Sequence, residues 1–118
     1  MNRLALLATT LLIFGAVSLG RPKPANTHSG EIIDSACAKA GNHDAGYKMT
    51  STNTPKDCTL ACVKGGSTLV LYDPGTKNTY QLDDQTKAKE YAGQKVKVTG
   101  TYNSTTKTIH VDKIQAAS

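Results

Sequence analysis

The chain has 118 residues, enough for one small domain, and its 14 Lys and Arg against 9 Asp and Glu give a formal net charge of +5 at pH 7. It contains no Trp, one Phe and five Tyr, so we do not expect a nucleic-acid-binding protein with a large aromatic stacking surface. The lysines are scattered along the sequence, which favours solvated side chains on strand edges over a dedicated anionic partner.

Residues 1–20 have the order of a secretory signal peptide. Arg3 is their one charge, an apolar run follows from Leu4 to Phe14, and the small residues Ser18 and Gly20 suit a cleavage site. The alternative is an uncleaved membrane anchor, but the apolar run is shorter than the roughly 20 residues that span a bilayer. We therefore predict export to the periplasm or the cell exterior and a mature chain that begins near Arg21 and does not span the membrane.

The segment after the signal is predicted to be irregular at two places. Residues 21–29 hold two prolines and few apolar side chains, which indicates a flexible lead-in in which His28 is a solvated linker residue. The domain proper is predicted over residues 30–118. Its first short strand contains Ile32 and Ile33, and a long, polar loop with glycines then covers residues 38–53.

A short helix is expected next, because Thr54 is a typical N-cap and Pro55 suits the first helical position. The helix should stop at the glycine pair 65–66. Alternating apolar residues then predict strands over 68–72, 79–82, 95–99 and 108–112, with a short helix capped by Asp83 or Asp84 between the second and third of these. Ile114 falls out of step with this alternation, which predicts a bulge near Lys113.

The resulting order is typical of a mainly β protein, a small five-stranded OB-like barrel with a loop-helix insertion after strand 1 and a short helix between strands 3 and 4. Its core should be formed by one face of the alternating strands. The predicted members of that core are Leu69, Leu71, Val96, Val98, Ile109 and Val111.

Several stretches together resemble a family of short exported bacterial proteins of unknown function. They are GEIIDSAC at 30–37, His43, DCTLACVKGG at 57–66, VLYD at 70–73, YQLDD at 80–84 and AGQKVKVTGT at 92–101. The cysteine-containing stretches are the most specific part of this resemblance. The resemblance implies an OB-like barrel in an exported protein, and it implies no reaction.

Two arrangements of the cysteines are open. Cys58 and Cys62 lie four residues apart and share one helix face, where their nearly parallel side chains are poorly placed to bond each other. An oxidising compartment then favours a disulfide from Cys37 to Cys58 or Cys62. The alternative is a tetrahedral site for a soft or borderline metal, a zinc or copper ion, made by Cys37, Cys58, Cys62 and His43. His43 separates the two, since a disulfide alone needs no imidazole.

No arrangement of residues indicates an enzyme. Asp83 and Asp84 are adjacent and point apart on most backbones, Ser35 has no nucleophile elbow around it, and His110 is expected to face solvent. We therefore expect a monomeric, non-catalytic binding or envelope-associated module whose insertion is pinned by cysteines. The alternative function is a metal-binding or thiol-redox protein that uses Cys37, His43, Cys58 and Cys62.

Overall fold

The computed structural model of the chain describes residue 15 and residues 25–117. Apart from residue 15, the predicted signal peptide lies outside the described residues, and so does the start of the predicted lead-in. Within the described residues, five strands and four short helices follow one another. They are β1 (Asn26–Asp34), α1 (Ser35–Ala40), α2 (Asp44–Thr50), α3 (Pro55–Lys64), β2 (Leu69–Asp73), β3 (Asn78–Leu82), α4 (Gln85–Lys89), β4 (Lys95–Asn103) and β5 (Thr108–Ala116).

The strands form one mixed sheet in the order β1-β2-β3-β5-β4, and β1 pairs with both β2 and β4, so that the sheet closes on itself. The closure is uneven. Every pair is antiparallel except β3 with β5, which pair in parallel only through Gln81 with Thr108 and Leu82 with Ile109. The side chain of Asp83 extends this short seam, because its Oδ1 accepts a hydrogen bond of 2.9 Å from the backbone N–H of Val111.

The predicted strand core is confirmed. All six predicted apolar residues are buried in one cluster, together with Ile32, Leu82, Ala88 and Ile114. The predicted bulge is present as well, since the β4–β5 register shifts between Thr99, which opposes Lys113, and Gly100, which opposes Val111. The shift leaves Asp112 as the extra residue, and Ile114 returns to the core face.

A second apolar cluster, which the sequence analysis did not predict, lies between the sheet and the insertion. Its buried members are Ile33, Cys37, Ala38, Cys58, Val70 and Tyr72. It exists because β2 is buried on both faces, with Leu69 and Leu71 in the strand core and Val70 and Tyr72 against the helices. The cysteines are thus part of a packed layer.

Two local predictions were wrong. Strand β1 begins at Asn26, inside the segment predicted as lead-in, because residues 26–31 pair with β4 although their side chains are mostly polar. The predicted loop at 38–53 is largely helical, since Gly41 ends α1 in the left-handed conformation, with φ of 79°, and Gly46 lies inside α2. None of the helices in the described part of the chain is long and apolar enough to cross a membrane.

Candidate metal site

Cys37 is placed by the junction between β1 and α1. Asp34 ends the strand, and its Oδ2 accepts a hydrogen bond of 3.0 Å from the backbone N–H of Cys37, so that it caps the helix. Both residues are buried, Asp34 completely. The other carboxylate oxygen of Asp34, Oδ1, is also buried and has no hydrogen-bond partner among the described residues. This unpaired oxygen is costly to bury, so it marks a polar site rather than ordinary core.

Cys58 and Cys62 are placed by α3, which begins as predicted. Thr54 is its N-cap and accepts a hydrogen bond of 3.1 Å from the N–H of Asp57, and Pro55 is the first helical residue. The one-turn spacing puts both thiols on the face that packs toward Cys37. Cys58 is completely buried, and Cys62 is half-buried.

His43 is a buried residue between α1 and α2. Its Nε2 lies 2.8 Å from Oε1 of Glu31, and its ring stacks on Tyr47 with a centroid separation of 5.6 Å. Its Nδ1 is buried and has no hydrogen-bond partner in the described part of the chain. With Nε2–H donating to the carboxylate, the tautomer leaves a free lone pair on Nδ1, the state that binds a metal.

These residues form two overlapping groups of possible metal ligands. The ligand atoms of Cys37, His43 and Cys58 all lie within 4.8 Å of one another, and so do those of Asp34, Cys37 and Cys62. Cys37 belongs to both groups and therefore links them. Three of the four residues that the sequence analysis combined, Cys37, His43 and Cys58, thus lie in one group, and Cys62 lies in the other with Asp34 and Cys37.

Helix α2 closes over the sulfurs. Gly46 is buried against them, and a Cβ at this position would lie 2.6 Å from Sγ of Cys58 and 2.8 Å from Sγ of Cys37. A cavity of about 300 Å³ lies beside this layer, and its lining includes Cys37, Cys62, Gly46 and Met49. Met49 has 84% of its surface exposed at this edge of the insertion. The cavity provides a route from solvent to Cys37 and Cys62.

Cys37 and Cys62 lie in an environment that favours the protonated thiol when no cation is bound. Burial raises the pKa of Cys37 well above its ordinary value of 9.0, and the hydrogen bond and negative charge of Asp34 and the nearby Cys58 raise it further. Burial likewise raises the pKa of Cys62, with Asp34 and Cys58 adding to the effect. A cation at the centre would reverse this balance, because it stabilises thiolate and carboxylate together.

All three cysteines are free thiols in the structure. The disulfide from Cys37 to Cys58 or Cys62 stays a prediction. The sequence analysis did not place Glu31 or Asp34 in the site. The signal that could have drawn attention to them is the two carboxylates that flank the apolar pair Ile32 and Ile33, close before Cys37.

The other two histidines lie elsewhere. His28 is part of β1, opposite Val98, and its ring packs near Tyr80 and Tyr102, so its interpretation as a linker residue was wrong. His110 is exposed, as predicted, and its Nδ1 is hydrogen-bonded to Oδ2 of Asp83. Asp84, which follows Asp83 in the sequence, caps α4. Neither of these two histidines belongs to a group of possible metal ligands among the described residues.

Comparison with known proteins supports only a coarse classification. Residues 63–117 match a family model described as "Protein of unknown function (DUF5818)". Searches of curated proteins and of solved structures find no significant match. The matched segment begins one residue after Cys62, so it contains β2 to β5 and none of the cysteines or His43. The chain is therefore similar to this family over its strand-rich C-terminal part, and the metal-ligand candidates lie outside that similarity.

Proposed function

We propose that the protein binds a zinc or copper(I) ion through Cys37, His43, Cys58 and Cys62. The observation that carries the proposal is the environment of His43. A buried imidazole with an unpaired Nδ1, beside two buried thiols, serves no purpose in a disulfide-pinned loop. It is the arrangement expected of a metal ligand whose position has been fixed in advance.

The chemistry of the donor set supports this class of metal. Thiolate ligands select zinc, copper(I) and iron–sulfur clusters, and an imidazole suits zinc and copper. Three thiolates and one imidazole complete a tetrahedral zinc shell. Glu31 supplies the outer-shell carboxylate that commonly holds a metal-bound histidine, since it is hydrogen-bonded to the ring nitrogen that faces away. Buried Asp34 offers a further oxygen next to Cys37.

A filled protein shell favours a storage, transfer or structural role over catalysis. Catalytic zinc sites keep one position open for water or substrate, whereas four protein ligands leave none. A thiol-exchange role is disfavoured by the raised pKa of Cys37 and Cys62, because burial and Asp34 suppress the reactive thiolate. The proposal is therefore a non-catalytic metal-binding module.

We also propose that this module is exported and that its sheet is OB-like. The order of residue types in 1–20 supports export, and the strand order β1-β2-β3-β5-β4, with α4 between β3 and β4, supports the OB-like assignment. In an oxidising compartment, the bound metal would keep the three thiols from pairing with one another.

The test is a metal analysis of mature protein purified from the periplasm without added metal, combined with differential alkylation. We expect one zinc or copper per chain and three thiols that become labelled only after chelation. Replacement of zinc by cobalt(II) should give thiolate-to-cobalt charge-transfer absorption. His43→Gln should lower metal content and change this spectrum, and His110→Gln, the control at an exposed histidine, should change neither.

Two results would contradict the proposal. One is protein without stoichiometric metal in which a single thiol is labelled before reduction, because that is the result expected of the disulfide. The other is wild-type metal content in His43→Gln. The proposal does not depend on the folding of a cysteine variant, since the first result comes from the wild-type chain.

A further inference from the structure

A second concave surface lies away from the thiols, at the end of α1 and between the two hairpin turns. It is a groove of about 620 Å³ with walls from α1, β3, β4, the β2–β3 turn and the β4–β5 turn. Its size is in the range of ligand-binding clefts. We call this surface the hairpin groove and define it by Lys39, Lys77, Lys107, Tyr80, Tyr102 and Gln81.

The charges of the hairpin groove have one sign. Lys39 comes from the last turn of α1, Lys77 from the β2–β3 turn and Lys107 from the β4–β5 turn, and all three are exposed. No carboxylate lines the groove among the residues that the structure describes. Although the lysines are scattered in sequence, the fold brings these three to one cleft. A cleft lined by one sign of charge concentrates ions of the opposite sign.

The two turns place their lysines with the same backbone geometry. Each is a four-residue turn that ends in Thr-Lys, at Thr76-Lys77 and Thr106-Lys107, and each lysine has the left-handed backbone conformation, with φ of 60° and 53°. Glycine or asparagine is the usual residue at such a position. A long cationic side chain therefore occupies, twice, a position where its backbone conformation is disfavoured.

The groove also contains fixed aromatic rings. Tyr80 and Tyr102 are half-buried and meet edge to face, with ring centroids 5.3 Å apart. His28 packs beside both rings, at 5.0 Å from Tyr80 and 5.9 Å from Tyr102. Gln81 adds an exposed amide that can donate and accept hydrogen bonds. The ring positions are thus set before any ligand arrives.

From this combination we propose that the hairpin groove binds an anionic oligosaccharide, a short chain of sugars that carry carboxylate or sulfate groups. The three ammonium groups come from three separate segments around an open groove, which suits several charges along a chain better than one isolated anion. The tyrosine rings and the Gln81 amide suit the faces and hydroxyl groups of sugars. A single-stranded nucleic acid is the competing ligand, and predicted export makes it the less favoured one.

The test is calorimetric titration of the mature protein with three probes: a sulfated hexasaccharide, the same hexasaccharide without sulfate, and a single-stranded oligodeoxynucleotide of equal charge. The double substitution Lys77→Asn with Lys107→Asn removes both turn charges and keeps residues that tolerate the left-handed conformation. Its control, Lys89→Gln with Lys97→Gln, makes the same change in net charge at exposed lysines outside the groove.

We expect the sulfated probe to bind, with an affinity that falls as salt is added, and the probe without sulfate to bind at least about tenfold more weakly. The asparagine pair should lower affinity for the sulfated probe by roughly tenfold or more, and the control pair by less than about threefold. The proposal is wrong if the sulfated probe does not bind, if both pairs lower its affinity equally, or if the oligodeoxynucleotide binds more tightly. None of these outcomes depends on the metal site.

Discussion

Gly46 provides a direct test of the packing around the thiols. In most helices, replacing an interior glycine with alanine stabilises the protein by roughly 0.5–1 kcal/mol, because alanine loses less backbone entropy on folding. Here the new methyl group would lie 2.6 Å from Sγ of Cys58 and 2.8 Å from Sγ of Cys37. Both distances are far below van der Waals contact. The two sulfurs would have to rotate away, or α2 would have to move off α3.

The expected sign is therefore opposite to the usual one. Overpacking a core by one methyl group costs about 1–3 kcal/mol, and after the helix-propensity gain the net loss for Gly46→Ala should be about 1 kcal/mol. In a domain of this size that corresponds to a melting temperature lower by roughly 4–8 °C. Thermal unfolding followed by circular dichroism, with reductant and chelator present, measures the loss of stability caused by the added methyl group without any contribution from metal.

Gly65→Ala is the matched control. Gly65 has a helix-compatible φ of −80°, and the nearest atom to its new methyl group, the carbonyl oxygen of Cys62, would lie 3.4 Å away. We expect a change within about 0.5 kcal/mol. If Gly46→Ala is as stable as the wild type and binds cobalt(II) with the same spectrum, the thiols are not packed against α2 and the site described above is incorrect.

Three further predictions concern the site, the core and the sheet seam. Glu31→Gln should lower zinc affinity by roughly 10–100-fold in a competition titration, since a neutral amide polarises the His43 ring less, and unchanged affinity would remove Glu31 from the site. Ile109→Ala should cost about 2–5 kcal/mol in urea unfolding, and an unchanged midpoint would disprove the strand register. The hydrogen bond to Asp83 and the negative charge of Asp83 raise the pKa of His110 above 6.5. Partial burial raises the pKa of Asp83, but hydrogen bonds from the Val111 amide and from His110 outweigh it and lower that pKa below 3.8. The contribution of His110 to folding stability is therefore complete below pH 6.5 and is lost as the pH rises through its raised pKa, whereas the contribution of Asp83 is complete above pH 3.8. His110→Gln should lower the free energy of unfolding most between these two pH values. A loss that is equal at all pH values would show that the pair is not formed.

The strands after the helix were predictable because burial on one face imposes a period of two. Val96, Val98, Ile109 and Val111 repeat at that period, and all four are in the strand core. The first half of β1 could not be predicted this way. It is held by backbone pairing to β4, and its residues Asn26 to Ser29 carry no apolar alternation.

The candidate ligands could be proposed from the sequence, and the residues around them could not. Cysteine and histidine are few, so their combination could be made from the sequence alone. The roles of Glu31 and Asp34 depend on which atoms approach them, through a hydrogen bond to a histidine twelve residues away and through burial beside Cys37. The helices of the insertion at 38–53 could not be predicted from the sequence either, because packing against β1 and β2 overrides the low helix propensity of its glycines.

Helix α1 connects the two proposed sites. Six residues are too few to form a stable helix alone, so α1 depends on its Asp34 cap and on the burial of Cys37 and Ala38. The same helix carries Lys39 to the edge of the hairpin groove. A substitution at Cys37 would therefore disturb Lys39 even if metal and oligosaccharide never influenced each other. Lys77 and Lys107 are held by hairpin turns of the sheet, and this independence from α1 makes them the residues that can separate the groove from the metal site.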